Sequence, residues 1–441
     1  MTQAATQADD GYPPTRYAWY VAVILTLGYV FAFADRMVVG LLTPAIQADL
    51  QLTDTQVGLF QGLAFAVFYT LFGLPMGWLA DRGNRKRVLA VSMVVWSAMT
   101  AVCGVTASFG PLFLARVGVG IGEAALNPCA TSLLGDYFPV ASRSKAFGLY
   151  GTATAVGTLL AFTGGGLLLQ WLQGLQPLHL PLIGVIKPWQ ATFILVGLPG
   201  LIPALLFALT VREPARRGLR PDAPKQGSMT NFLRTNRTTL ICHHVGIGFV
   251  MMPVYAYVNW LPSLFQRSYG WAPAKFSITY GIPGSMMGIV GAVGAGMFGA
   301  WLKSRGDAVG NLRACAIGCT LSAIGGTITP LMPSGEVAFV VYLFTGGLNN
   351  FTTVLGLAAI AEMTPNQMRA RVTAIFLLFT GLVSSSVGPL LVGLISDALK
   401  GSPGGIGIAL SLVSGCVALP GAMLIFVGLK PYRASVARIA G

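Results

Sequence analysis

The stretch Gly77-Trp-Leu-Ala-Asp-Arg-Gly-Asn-Arg-Lys-Arg87 is a charged interruption between two apolar runs, at 56–79 and 88–108. Each run has about 20 residues, which is the length that an α-helix needs to cross roughly 30 Å of hydrocarbon. The sequence therefore predicts two transmembrane helices joined by a short charged loop.

The same alternation of apolar runs and short polar breaks continues along the whole chain. The predicted spans are 19–44, 56–79, 88–108, 112–135, 146–170 and 190–210 in the first half, and 241–265, 277–301, 314–332, 338–360, 372–396 and 406–428 in the second. An even number of spans places both termini on one side of the membrane. The predicted fold class is an all-α integral membrane protein with twelve transmembrane helices in two six-helix bundles.

The composition supports this fold class and excludes others. Of the 441 residues, 54% are hydrophobic and 10% are charged, and the mean hydropathy is +0.70. Soluble proteins carry about 25% charged residues, so the chain is not expected to be a cytosolic enzyme. The six cysteines form no CxxC pair, and the sequence shows no Ser/His/Asp set or nucleotide loop. We therefore predict no catalytic residue, no metal site and no cofactor.

The basic residues predict the orientation in the membrane. Of 28 basic residues, 22 lie in the tails and in the loops on the side of the termini, and four lie in the opposite loops. Positive loops stay in the cytoplasm, so the termini of this multi-pass protein are predicted to be cytoplasmic, with the plasma (inner) membrane as its location. The net charge of +14 then reflects topology, and no nucleic-acid partner is expected.

These observations predict five segments. They are a cytoplasmic tail at 1–18, a six-helix bundle at 19–210, a cytoplasmic linker at 211–240, a second bundle at 241–429 and a cytoplasmic tail at 430–441.

The two halves resemble each other at an offset of 226 residues. At this offset Asp136, Pro139, Arg143 and Lys145 fall on Glu362, Pro365, Arg369 and Arg371, and Asp81 and Arg87 fall on Asp307 and Arg313. Two parallel six-helix repeats, related by an axis along the membrane normal, are typical of secondary transporters with a substrate site between the halves.

The loop at 77–87 resembles the loop 2–3 signature of the major facilitator superfamily, and Arg116-Val-Gly-Val-Gly-Ile-Gly-Glu123 resembles its fourth-helix pattern. Within that superfamily, Phe33-Ala-Asp-Arg36, Asn84-Arg-Lys86 and Gly122-Glu-Ala124 are most similar to the spinster branch. This resemblance implies a secondary active transporter that works by alternating access on an amphiphilic anionic lipid, such as a lysophospholipid or a sphingoid phosphate.

Two alternatives stay open. Organic-anion symporters also place an Asp-Arg pair in the first helix and a Glu in the fourth, which would make a small organic carboxylate the substrate. Multidrug efflux is the other alternative, although the fifth span at 146–170 lacks the proline of the drug-antiporter pattern.

Four ionisable residues lie well inside the predicted spans: Asp35, Arg36, Arg116 and Glu123. Each costs roughly 2.5–3.5 kcal/mol at the centre of a membrane helix, so such residues usually face the protein interior and pair. Counting residues from the span ends puts Arg36 and Glu123 at similar depth, which predicts a cross-helix ion pair. Asp35 and Glu123 are the predicted proton-coupling residues, and Arg36 and Arg116 are the predicted partners of an anionic substrate.

The second half offers polar but uncharged groups at the same depth. Asn349 occupies the position equivalent to Glu123, and Asn350 follows it. These amides, with Tyr257, are predicted to bind substrate in a cavity lined by the first, fourth, seventh and tenth helices.

A third group of charges is predicted to latch the cytoplasmic side closed in one state of the transport cycle. Its members are Gly77, Asp81, Arg82, Arg85, Asp136, Arg143, Glu362 and Arg369. Within it, Asp136 is expected to pair with Arg143, and Glu362 with Arg369. The expected partners of the protein are a small-molecule or lipid substrate, the bilayer and protons, with the proton gradient as driving force and a monomer as the working unit.

Overall fold

A computed structural model describes residues 12–176, 178–180, 184–216, 228–399 and 404–440. The described residues form twelve helices that are long and apolar enough to cross a membrane. These helices are α1 (Thr15–Leu50), α2 (Asp54–Arg82), α3 (Arg85–Cys103), α4 (Phe109–Tyr137), α5 (Ala141–Gln173), α6 (Pro188–Thr210), α7 (Arg237–Tyr269), α8 (Pro273–Ser304), α9 (Gly310–Leu331), α10 (Gly335–Met363), α11 (Gln367–Ala398) and α12 (Gly405–Val427). The twelve predicted spans are thus confirmed, in two bundles of six.

Within the described residues, a hairpin and two shorter helices lie outside the spans. A hairpin of β1 (Leu178–Leu180) and β2 (Gly184–Ile186) precedes α6, and its register pairs His179 with Val185. The linker contains the helix Met229–Thr235, and the predicted tail forms the helix Leu429–Ala440. The sequence analysis missed the hairpin and both helices. Residues 1–11 of the predicted N-terminal tail, 217–227 of the predicted linker and Lys400 lie outside the described residues.

The C-terminal helix packs against the second bundle because one of its sides is buried. Tyr432 and Ser435 are buried, whereas Lys430 and Arg433 are exposed. Arg438 donates a hydrogen bond to the side chain of Asn236 at 2.7 Å, which places the linker and the C-terminal helix on one face of the molecule. This face is called the terminal face, and the other is called the opposite face.

The predicted repeat is visible in the local structure of two loops. Arg143 donates to the carbonyl oxygen of Gly135, and Arg369 donates to that of Ala361, which is the equivalent position 226 residues later. The backbone N–H of each arginine also bonds the carbonyl of the proline four residues before it, at 3.0 Å in both loops. The same local hydrogen-bonding pattern therefore recurs at the start of α5 and of α11.

The hydrophobic core has three parts, and their positions determine the shape of the molecule. One buried cluster joins both bundles on the opposite-face side, with members such as Val38, Phe60, Trp260 and Val392. The other two clusters lie nearer the terminal face, and each is confined to one bundle. The bundles are therefore packed together at the opposite face, and a cavity lies between them on the side of the terminal face.

Close backbone approach at the opposite-face side depends on glycine. A Cβ on Gly40 of α1 would lie 2.9 Å from the carbonyl oxygen of Val258 in α7. A Cβ on Gly58 of α2 would lie 2.7 Å from the carbonyl oxygen of Pro389 in α11. Small residues allow membrane helices to pack this closely, so these two crossings bring the bundles into contact.

Candidate functional site

The central cavity has a volume of about 1080 Å³. Its wall includes Arg36 from α1, Arg116 from α4, Tyr255 from α7 and Asn349 from α10, as the sequence predicted for these four helices. Helices α2, α5, α8 and α11 also contribute, and α4 supplies Arg116 only. The prediction of four lining helices was therefore incomplete, because in this state the separated bundles also expose the flanking helices to the cavity.

The four predicted intramembrane charges form two ion pairs in the first bundle. Arg36 donates through Nε to Oε2 of Glu123 at 2.6 Å, which confirms the predicted contact between α1 and α4. Nη1 of Arg116 lies 3.5 Å from Oδ1 of Asp35, and Thr100 of α3 donates to Oδ2 of Asp35 at 2.5 Å. The side chains of Asp35, Arg116 and Glu123 are almost fully buried.

The two arginines keep N–H groups that other side chains do not use. Nη2 of Arg36 and Nε of Arg116 are buried and have no hydrogen-bond acceptor within the described part of the chain, and Nη1 of Arg116 has only the longer ion-pair contact with Asp35. Both arginines line the cavity. A buried donor without an acceptor is costly, and charge-assisted bonds from a guanidinium to a carboxylate or phosphate are among the strongest that proteins make. The site is therefore suited to binding an anion.

An aromatic pair on α2 holds the guanidinium of Arg36 in place. The ring centroids of Phe65 and Tyr69 lie 4.8 and 4.5 Å from the guanidinium carbon of Arg36, and Phe65 lies 5.5 Å from that of Arg116. Such cation–π contacts stabilise a desolvated guanidinium. The sequence analysis did not identify these rings. The spacing of four residues, which places two aromatic side chains on one face of a helix, is the signal that could have found them.

The cavity wall from the second bundle is polar but uncharged, as predicted. Asn349 and Asn350 both line the cavity. Asn349 accepts a hydrogen bond from Ser322, and Asn350 lies 3.4 Å from the carbonyl oxygen of Gly346, to which its amide donates.

Tyr257 lies elsewhere than predicted. Its ring is buried against Tyr342 at 5.2 Å, and its hydroxyl donates to the carbonyl oxygen of Gly326 in α9. Tyr255, two residues earlier, lines the cavity instead. Two positions on an α-helix differ by about 200° in direction, so both tyrosines cannot face the same space. Tyr257 therefore packs α7 against α9 and α10 and does not line the substrate cavity.

The predicted latch residues on the first bundle form contacts within that bundle. The ion pair of Asp136 is with Arg85, and not the predicted one with Arg143. Arg143 donates to backbone carbonyl oxygens at the end of α4. Arg85 is buried and also donates to Glu213 at 2.6 Å. Arg85 thus joins the start of α3 to the end of α4 and to the first residues of the linker.

The second bundle shows a comparable difference. Glu362 pairs with Lys303, and not with Arg369 as predicted, and it also accepts hydrogen bonds from Asn311 at 2.7 Å and Tyr432 at 2.6 Å. The sequence could not predict these partners, because α8, α9 and the C-terminal helix approach Glu362 only in the folded bundle.

The remaining latch residues lie on the surface of the terminal face. Asp81 and Arg82 are exposed, and the guanidinium of Arg82 lies 4.8 Å from the ring of Trp78. A Cβ added to Gly77 would have no atom within 4 Å. In this state of the molecule these residues are therefore open to solvent.

Replacing Arg85 by alanine is expected to lower the free energy of unfolding by about 3 kcal/mol, because it removes a buried guanidinium that pairs with two carboxylates. Replacing the exposed Arg82 by alanine should cost less than about 1 kcal/mol. Thermal unfolding in detergent measures both. Equal stability of the two variants would show that Arg85 does not hold the first bundle together.

Comparison with known proteins agrees with this architecture. The family model of the Major Facilitator Superfamily matches residues 25–335. An MFS-type efflux pump of Mycolicibacterium smegmatis is 28% identical over 441 residues, which cover 98% of each chain. A probable L-galactonate transporter of Escherichia coli is 25% identical over 430 residues, covering 93% of this chain and 89% of that protein.

A solved structure is also similar. The crystal structure of a bacterial homologue of the human lysosomal transporter Spinster, in an inward-facing and unoccupied conformation, superimposes with a TM-score of 0.78 at 25% identity, covering 96% of this chain and 98% of the other. The family match, the twelve helices and the cavity between two six-helix repeats lead to one conclusion: the chain belongs to the Major Facilitator Superfamily and is a secondary transporter.

Proposed function

We propose that the chain carries an amphiphilic organic anion across the membrane, coupled to protons. The observation that supports this best is the position of Arg36 and Arg116 in the cavity lining, together with a buried N–H group on each guanidinium that has no hydrogen-bond acceptor among the described residues. The anionic group of the substrate binds these two guanidiniums, and the amides of Asn349 and Asn350 face it from the other bundle.

In this proposal Glu123 and Asp35 carry the coupling proton. Burial favours the neutral form of a carboxyl group, whereas a neighbouring guanidinium favours the charged form. Ionised Glu123 holds Arg36 through the contact at 2.6 Å. When a proton neutralises Glu123, the guanidinium of Arg36 becomes free for the substrate anion. Asp35, paired with Arg116, transfers or receives the proton as the halves alternate.

The apolar part of the substrate is accommodated beside α5 and α8. These helices approach each other at Thr163 and Gly281. Nearer the terminal face, Gly151 on α5 and Gly288 on α8 line the cavity and leave open space where a side chain would project. Val156 and Ile289, near the middle of these helices, line the cavity and are about half exposed, at 47% and 56%. This arrangement favours an acyl chain, as in a lysophospholipid or a sphingoid phosphate.

A small organic carboxylate is the second candidate. It is favoured by the similarity to the probable L-galactonate transporter and by the amides of Gln61 and Asn259, which also line the cavity and could bind hydroxyl groups of a sugar acid. Efflux, as in the mycobacterial relative, would use the same cavity with the opposite direction of net transport.

The variant Gly288→Leu distinguishes the two substrates. A leucine at this position would fill the space between α5 and α8, and is expected to reduce counterflow of a lysophospholipid by about tenfold, with less than about twofold effect on galactonate. Gly294→Leu is the matched control, because Gly294 lies on the same helix with open space around it and does not line the cavity. Galactonate exchange with no lysophospholipid exchange in the unmodified protein would contradict the lipid assignment.

We also propose that the terminal face is cytoplasmic, in the plasma membrane of the cell, and that a single chain is the working unit, since one chain encloses the whole cavity. When the terminal face closes, the second bundle approaches the surface formed by Gly77, Asp81 and Arg82. An exposed acid at the end of α2 can then bind the positive N-terminal end of a helix in the second bundle.

A further inference from the structure

Among the described residues, a dense set of hydrogen bonds joins the two bundles at the opposite face, far from the four intramembrane charges. Asp54, the first residue of α2, accepts hydrogen bonds from both terminal guanidinium nitrogens of Arg267 in α7. Each bond is 2.8 Å long and ends on a different carboxylate oxygen. Ser396 of α11 donates to the same carboxylate at 2.6 Å, and Gln47 of α1 donates at 2.6 Å. A carboxylate of the first bundle thus accepts hydrogen bonds from side chains on two helices of the second bundle.

A second carboxylate makes the converse contact. Asp397, near the end of α11, accepts from the backbone N–H of Asp54 at 3.1 Å, and from the backbone N–H and the hydroxyl of Thr55 at 2.8 and 2.6 Å. The first turn of a helix has N–H groups without intrahelical acceptors, and an acid at this end also interacts favourably with the helix dipole. An acid of the second bundle therefore caps a helix of the first.

The local sequence of α2 leaves two backbone N–H groups available for this cap. Thr53 and Gln56 form a capping box, in which the Thr53 hydroxyl accepts from the N–H of Gln56 at 3.2 Å. This leaves the N–H groups of Asp54 and Thr55 to Asp397. The first turn of α2 is thus completely bonded by protein atoms only while the bundles are together.

The placement of these bonds distinguishes them from the other ion pairs. Within the described part of the chain, the Arg267–Asp54 pair joins the two bundles, whereas the pairs of Arg85 and of Glu362 at the terminal face each lie within one bundle and its adjoining segment. A Cβ on Gly393 of α11 would also collide with the backbone carbonyl of Asp54. The contact is thus tight, and it must break whenever the opposite face opens.

We propose that Asp54 and Asp397 form a reciprocal lock, in which each bundle supplies one carboxylate to the other and thereby sets the resting preference for the state with the opposite face closed. The two acids are positioning residues: they lie outside the cavity lining and act on the equilibrium between the two states. This role is independent of which substrate the cavity takes.

The test measures which face of the cavity is accessible, using the full chain in sealed vesicles. Leu261 lines the cavity and is buried, so Leu261→Cys in a Cys416→Ser background reports access. A membrane-impermeant maleimide is added to each side in separate experiments. In Asp54→Asn and in Asp397→Asn, labelling from the opposite face is expected to rise about tenfold, whereas labelling from the terminal face should stay low because Leu261 is buried while the opposite face is closed.

Asp49→Asn is the matched control. Asp49 lies near the same face, but it accepts from Trp189 at 2.9 Å and pairs with Lys187, both in the first bundle, so labelling should stay at the level of the unmodified protein. Arg267→Gln removes the same lock from the other bundle and should reproduce the shift. Unchanged labelling in the Asp54, Asp397 and Arg267 variants would overturn the proposal. An equal rise in the Asp49 variant would also overturn it, because it would show general loosening of that face.

Discussion

Replacement of Glu123 by glutamine, or of Asp35 by asparagine, is expected to abolish proton-driven accumulation of the substrate. Each substitution preserves the shape of the side chain but removes its ability to bind and release a proton. With Glu123→Gln the guanidinium of Arg36 no longer alternates between an ionised partner at 2.6 Å and the substrate. The internal concentration of substrate should then not exceed the external one under an imposed pH gradient.

Exchange of substrate should persist in these variants, because a bound anion can still cross with the alternating halves when no net proton movement is required. Uptake into proteoliposomes with an imposed pH gradient, compared with counterflow at equal pH on both sides, separates the two activities. Glu336→Gln is the control, since Glu336 is an exposed acid in the first turn of α10 and outside the cavity lining. Normal accumulation in both acid variants would show that the four charges only hold α1, α3 and α4 together.

The second large effect is expected for Arg36→Ala, which should eliminate detectable binding of the substrate anion and lower the free energy of unfolding by about 3–5 kcal/mol. The substitution leaves the carboxylate of Glu123, which has no exposed surface, without its counter-charge. It also removes the guanidinium that lies over Tyr69. Calorimetric titration measures binding, and thermal unfolding in detergent measures stability.

A double variant separates the two consequences of losing Arg36. In Arg36→Gln with Glu123→Gln, two neutral amides replace the buried ion pair, and such a replacement leaves no unpaired charge. We expect stability to recover to within about 1 kcal/mol of the unmodified protein, while binding of the anion stays absent. Recovery of binding in the double variant would show that Arg36 contributes through structure alone, and would leave Arg116 as the anion site.

The two bundles divide the proposed work unequally. The first bundle holds both intramembrane ion pairs and the aromatic rings that contact the guanidiniums. The second contributes amides, tyrosines and apolar side chains to the same cavity. The lock of Asp54 and Asp397 lies between the bundles and outside this cavity, so the equilibrium between states can change without altering the groups proposed to bind substrate and protons.

Local sequence properties were sufficient to predict the membrane architecture. Span length follows from the thickness of the hydrocarbon layer, so the twelve helices could be predicted from runs of apolar residues alone. The pair of Arg36 and Glu123 was also predictable, because an isolated charge inside a membrane is costly and counting residues along two spans places these two at the same depth. The aromatic pair Phe65 and Tyr69 carried a signal in its spacing, but apolar rings in a membrane helix more often face lipid or core.

The sequence did not predict the contacts between distant segments, which are visible only in the tertiary structure. Arg85 and Asp136 are 51 residues apart, and Asp54 and Asp397 belong to different bundles. In both cases the charged side chains lie near helix ends, where water can solvate a charge and composition does not require a partner. Which acid meets which base there depends on how the helices cross and on which face of the transporter is closed. The number of spans, the repeat and the depth of the buried charges follow from the sequence alone, because the bilayer favours apolar residues and penalises charged ones at each position along a span. Packing between helices decides which charged side chains pair at the two faces. It also decides that Tyr255, and not Tyr257, faces the cavity.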